Sequence, residues 1–166
     1  MGSGEEKEAF RGQGSGARVK ELEAVIHNQQ ATIIHTPLGW VGVAATEQGI
    51  SNIVLPKKDK RSVEAELGSK IGARPLEKGG RQTSRLLADA VKLLQKYFSG
   101  NRVPFDLLVD LSYYTTFQQA VWRATALIPY GETRSYAWIA MRIKKPKAVR
   151  AVGQAMGANP VPLLIP

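Results

Sequence analysis

The segment ATIIHTPLGWVGVAATEQGISNIVLP, Ala31 to Pro56, is dense in β-branched residues and is interrupted twice, at TPLG and at TEQG. Pro and Gly at these breaks supply turn chemistry, and the runs between them suit a pleated, half-buried surface. The pattern predicts three short antiparallel strands near residues 31–36, 40–46 and 50–55. The sequence then turns polar and rich in Gly and Lys up to Gly80, which predicts a short helix around Val63 to Leu67 inside a long connection.

Helical spacing begins at TSRLLADAVKLLQKYFSG, where Leu86, Leu87, Ala90, Leu94, Tyr97 and Phe98 fall on one face. Thr83 or Ser84 suits the N-cap, and Gly100 suits the end. RVPFDLLVDLS, Arg102 to Ser112, reads as one more strand or an extended linker to a helical rear part. There, Thr116 with Gln119 has capping-box spacing. Phe117, Ala120, Val121, Ala124 and Leu127 share a face of the helix that follows. Pro129 and Gly131 break it. Ser135 caps a short helix, YAWIAMRI, and a tight KK turn leads to PKAVRAVGQAM. Pro146 suits the first turn of that helix, and Gly157 and Asn159 its end. Two helices joined this way form a helix-turn-helix. The final VPLLIP reads as the start of a buried apolar strand.

The expected fold class is therefore α+β: a small antiparallel-sheet N-terminal domain with helices, then a mainly helical C-terminal domain. The expected boundaries are a disordered segment over residues 1–22, an α+β domain with linker over 23–112, and the helix-turn-helix domain over 113–166. The first segment is rich in Gly, Ser and charge and has no apolar core, so it is no signal peptide.

Composition restricts the chemistry. The 166 residues contain no cysteine, which excludes disulfides, thiolate metal sites and a cysteine nucleophile within them. Two histidines, His27 and His35, are too few for a histidine-built metal site, so no metal is expected. No apolar run is long enough for a transmembrane helix. The net charge of +9 favours a polyanionic partner. The charge is also localised: from Thr133 to Pro166 there is no Asp or Glu, while Arg134, Arg142, Lys144, Lys145, Lys147 and Arg150 all fall there. A basic helix-turn-helix points to nucleic acid.

The second helix of the pair carries Ala148, Ala151, Val152, Gly153 and Ala155, with only Lys147, Arg150 and Gln154 as long polar residues. Major-groove recognition helices present long polar side chains to base edges. Small residues let a backbone approach a minor-groove floor, or else pack the helix against its neighbour; periodicity alone leaves both open.

The string TTFQQAVWRATALIPYGETRSYAWIA followed by KAVRAVGQAMGANPVPLLIP resembles the methylated-DNA–protein-cysteine methyltransferases. Four motifs occur in order from Phe117 to Pro166: FQ..VW, IP.G.T.SY, RAVG.A and NP.P..IP. TPLGW, GI..I and KYFSG extend the resemblance more loosely over residues 31 to 166. It implies a DNA repair protein that binds duplex DNA through the minor groove. The alkylated guanine is turned out of the stack, and the alkyl group passes irreversibly from O6 to a cysteine. It implies no cofactor, a monomer, no membrane partner, and a cytoplasmic or, in a eukaryote, nuclear site of action.

Residue by residue, Arg150 matches the arginine that fills the gap left by the flipped base. Tyr136 matches the tyrosine that crowds the target phosphate and assists rotation and protonation. Asn159 matches the asparagine that organises the turn beneath the cysteine. By the same resemblance Ser135, Thr133 and Lys147 are DNA contacts, and Ala148, Ala151 and Gly153 face the groove. Met156, Val161 and Pro162 line the substrate pocket. Two departures stand out. Thr115 occupies a position where the family usually has Gly. The Pro-Cys-His-Arg motif, its cysteine expected immediately after the match to Pro166, is absent, as are the zinc-binding cysteines of human-type members. The chain is therefore expected to be a fragment that ends just before the nucleophile and is inactive in transfer. A non-catalytic binder of alkylated DNA is the alternative. An ordinary major-groove regulator is a third reading, which the small-residue helix disfavours.

Overall fold

The computed structural model describes residues 29–72 and 80–166. Residues 1–22, expected to lack order, and His27 lie outside them. Three strands form an antiparallel meander in the order β1-β2-β3: β1 is Gln30–Thr36, β2 Gly39–Ala45 and β3 Ile50–Lys57. The two expected breaks are the two hairpin turns. Thr36 pairs with Gly39 across the first, and the Thr46 amide donates to the Gly49 carbonyl at 2.9 Å across the second.

Strand alternation sends successive side chains to opposite faces, and each face is covered by one helix. Ala44 and Val54 pack with Val63, Leu67 and Ile71 of α1 (Lys60–Ile71). A β-carbon built on Gly42 would stand 2.8 Å from the Val63 side chain, so this close approach needs glycine. Val41, Val43, Ala45, Ile50 and Ile53 join Leu87, Ala90, Leu94 and Phe98 of α2 (Arg81–Phe98) in the main core.

Helix starts depart from expectation in instructive ways. α1 is twelve residues long, because Asp59 caps it by accepting from the Ser62 amide at 2.8 Å; its polar composition hid its length. α2 starts at Arg81 after Gly80, so neither Thr83 nor Ser84 is its cap; Thr83 is fully buried inside the helix. In α3 (Thr116–Thr125) the cap is Thr115, not Thr116. The Gln118 amide donates to Thr115 Oγ1 at 3.3 Å, and the Thr115 amide donates back to Gln118 Oε1 at 3.2 Å. The TT and QQ doublets satisfy the capping-box spacing in two registers, and the earlier one forms. Because α3 ends at Thr125, Leu127 leaves its apolar face and is 60% exposed.

Residues 101–112 form an extended linker that touches β3 at one parallel bridge, Ile50 to Val109. Ile50 N donates to Leu108 O at 2.8 Å, and Asp110 N donates to Ile50 O at 2.9 Å. The linker leads to α3, α4 (Tyr136–Arg142) and α5 (Val149–Gly157). Their core continues the sheet's core through Val121, Trp122, Ile139, Val152 and Val161.

The last residues do not form a strand. They turn back on themselves, with Leu163 at φ 80 and a single bridge between Pro162 and Ile165. Ile53 N donates to Pro160 O at 2.7 Å, fastening this turn to the edge of β3.

Candidate nucleic-acid interface

Ser135 sets the start of α4: its Oγ accepts from the Trp138 amide at 3.2 Å, one of the donors a helix start leaves free. The turn to α5 is longer than the expected pair of lysines and spans residues 143–148. Lys144 takes a left-handed conformation, φ 58, while Lys144 N and Lys145 N donate to Met141 O and Ala140 O at 2.9 and 2.8 Å. Pro146 stands in this turn rather than in the first turn of the helix, which begins at Val149 after Ala148.

One face of α5 is fixed by α3. Val152 and Ala155 are buried, and Trp122 Nε1 donates to Ala155 O at 2.9 Å. Arg150 and Gln154 are exposed; Ala151 and Gly153, on the two flanks between these faces, and Ala148, just before the helix, are half-buried. Gly153 does not simply face outward. A β-carbon there would stand 3.2 and 3.3 Å from two carbons of the Tyr136 ring, so its small size seats Tyr136. Tyr136 is the first residue of α4 and remains 48% exposed.

The two helices thus bring Tyr136 onto Gly153, and Thr133, Ser135, Lys147 and Arg150 are exposed on the same two helices and the segments beside them. All six cations named from the sequence are exposed. One of them is engaged: Arg134 forms an ion pair with Glu132, which lies one residue before the acid-free stretch. Sequence inspection also missed Trp138, whose indole lies within cation–π reach of Arg134 and Arg142. The spacing of four residues on either side of an aromatic was the available signal.

A second cluster forms at the final turn. Asn159 Nδ2 donates to Ile165 O at 2.7 Å, and Asn159 Oδ1 accepts from Val161 N at 3.0 Å. One side chain thus closes the turn from both ends. Met156 and Pro162 line a cavity of about 660 Å³ with Asn159, Tyr97, Phe105 and Tyr130. Val161 does not line it. With its amide held by Asn159, its side chain is fully buried in the core. Met156 Sδ lies 3.2 Å from Thr125 Oγ1, a hydroxyl that is also 3.0 Å from Val121 O and can donate to one of the two. The linker reaches this region through Arg102, whose guanidinium sits 4.5 Å from the Tyr130 ring centroid.

Two family models match the chain. Residues 30–111 match the ribonuclease-like domain of 6-O-methylguanine DNA methyltransferase, and residues 116–166 match its DNA binding domain. The chain belongs to the 6-O-methylguanine DNA methyltransferase family. It is 40% identical over 139 residues to the constitutive methylated-DNA–protein-cysteine methyltransferase of Bacillus subtilis, covering 81% of this chain and 76% of that protein. Against the Methanosarcina barkeri methylated-DNA–protein-cysteine methyltransferase it is 38% identical, covering 81% and 77%. The crystal structure of the Mycobacterium tuberculosis O6-methylguanine methyltransferase superposes with a TM-score of 0.60 at 34% identity, covering 83% of this chain and 75% of that one. A structure of the M. tuberculosis protein in complex with DNA superposes with a TM-score of 0.59, covering 82% and 74%. Membership in the family joins the α+β fold to the helix-turn-helix surface described above.

Proposed function

We propose that these 166 residues form the DNA-gripping and base-extruding part of an alkyltransferase-type repair protein. Their partner is double-stranded DNA carrying an O6-alkylated guanine. The α5 helix enters the minor groove with Ala148, Ala151 and the backbone near Gly153. Arg150 fills the space vacated by the extruded guanine. Tyr136 crowds the phosphate of that nucleotide, which favours its rotation. Ser135, Thr133 and Lys147 hold the flanking backbone. Met156 and Pro162 face the extruded base, and Asn159 shapes the turn beside it. The protein acts as a monomer inside the cell.

The observation that carries this reading is the seat of Tyr136 on Gly153. It puts an exposed aromatic ring beside a small-residue helix face, with an exposed Arg150 on the same helix and the acid-free stretch around it. A major-groove reader presents a row of long polar side chains, and this helix has only Lys147, Arg150 and Gln154 in and beside it.

Transfer needs an acceptor thiolate. No residue of this sequence supplies one. That absence favours a second reading, in which these residues bind alkylated DNA without reacting. Labelled methyl transfer from an O6-methylguanine duplex, measured beside binding to the same duplex, tests both. The expected result is tighter binding to the modified duplex than to the plain one, with no label on the protein. Equal affinity for the two duplexes would refute lesion recognition, and label on the chain would refute the claim that it does not react. With five of the six cations in no ion pair among the described residues, the log–log salt slope of binding is expected near −4 to −5. A flat salt response would contradict a DNA partner altogether.

A further inference from the structure

We propose that α4 carries a second backbone contact beyond the small-residue face: Trp138 holds the guanidinium groups of Arg134 and Arg142 in one row, and that row grips neighbouring phosphates of one DNA strand. Glu132 competes with phosphate for Arg134. The proposal rests on the duplex binding put forward above.

The row is built from two contacts. Arg134 Cζ lies 5.7 Å from the Trp138 ring centroid, and Arg142 Cζ lies 5.9 Å from the same centroid. Both distances fall within cation–π range. The indole is not free to follow them, because it is half-buried against the core. Two groups that share a centroid at these distances stand at most about 12 Å apart, so the row is short enough to lie along a few consecutive phosphates of one strand, which rise about 3.4 Å each.

Two like charges on one ring repel each other, and only one of them is neutralised. Arg134 pairs with Glu132 and also donates to Thr133 O at 2.8 Å. Among the described residues no carboxylate lies within ion-pair distance of Arg142. A ligand with closely spaced negative charges relieves the repulsion and satisfies both forks, since a guanidinium beside an aromatic ring still has N–H groups to offer phosphate oxygens. The row also starts where the proposed interface starts, since Arg134 and Trp138 bracket Ser135 and Tyr136.

Anisotropy titration of the full chain with a plain duplex, over a series of salt concentrations, tests the row. Arg142→Gln is expected to reduce the salt slope by about 1. Trp138→Phe keeps every charge, so its slope is expected to hold while affinity at fixed salt falls about 2- to 5-fold, the value of one weakened cation–π contact. Glu132→Gln is expected to tighten binding by a similar factor, and Glu64→Gln on α1 to leave it unchanged. Wild-type slope and affinity for both Arg142→Gln and Trp138→Phe would overturn the row while leaving duplex binding intact. Failure of the wild-type chain to bind duplex would overturn the parent reading, and the row with it. Arg142 is exposed, so its variant answers the question even if Trp138→Phe disturbs packing.

Discussion

The ring of Tyr136 rests on Gly153, with 3.2 Å between its nearest carbon and the position a β-carbon would take on the glycine. This contact joins the start of α4 to the middle of α5, and it explains why a helix interior carries a residue that weakens helices. Gly153→Ala adds helix propensity worth about 1 kcal/mol. It also pushes on a ring that is half exposed and free to swing outward. The expected outcome is a stability within about 1 kcal/mol of wild type by urea unfolding, with DNA affinity reduced about tenfold, the equivalent of one contact of ~1.4 kcal/mol. Unchanged affinity would show that the position of Tyr136 does not matter for binding.

Asn159 closes the final turn through two hydrogen bonds, to Ile165 O and from Val161 N. Asn159→Ala leaves both backbone groups short of a partner in a partly buried place, at a cost of about 1–3 kcal/mol. Hydrogen exchange at the Val161 amide is expected to accelerate in this variant more than exchange in the sheet. Equal acceleration everywhere would mean that the turn opens only with the whole fold.

Glu66 on α1 ties that helix to the sheet through Lys57 Nζ at 2.9 Å and also meets Lys70 at 3.2 Å. The Lys57 hydrogen bond, against a smaller desolvation effect, holds its carboxyl below the usual value of 4.5. A carboxyl lowered on folding adds stability above its unfolded value and loses it as pH falls through the folded one. The side chain is 34% exposed, so screening keeps the contribution to about 0.2–1 kcal/mol. Glu66→Gln is therefore expected to lower stability slightly at pH 7, with the difference closing as pH falls below 4.5. A difference that persists at pH 3 would assign the effect to packing instead.

The sequence carried the strands and the second helix pair well, because both rest on local pattern: β-branched runs between Pro and Gly breaks, and a Ser cap before an apolar helix. It was poor at helix starts. Two registers of Thr-x-x-Gln look alike until Tyr114 O accepts from Gln119 Nε2 and α3 settles on Thr115. The end of the chain misled for a related reason. VPLLIP has the composition of a strand, but Asn159 bonds forward to Ile165 O and bends it into a turn. For the candidate sites the string of motifs pointed to Tyr136, Arg150 and Asn159 by position alone. It gave no sign that Gly153 seats Tyr136, that Val161 belongs to the core, or that Glu132 engages Arg134. Those are relations between elements, and only the packed fold sets them.

Base extrusion is the central claim, and 2-aminopurine fluorescence reads it most directly. A duplex with 2-aminopurine beside O6-methylguanine is titrated with the wild-type chain and with Arg150→Ala. The account predicts a rise in fluorescence on wild-type binding, as the neighbouring stack opens, and a loss of most of that rise in Arg150→Ala while Tyr136 and the row on α4 still hold the DNA. Saturated binding with no change in fluorescence, or an equal rise in both proteins, would contradict it.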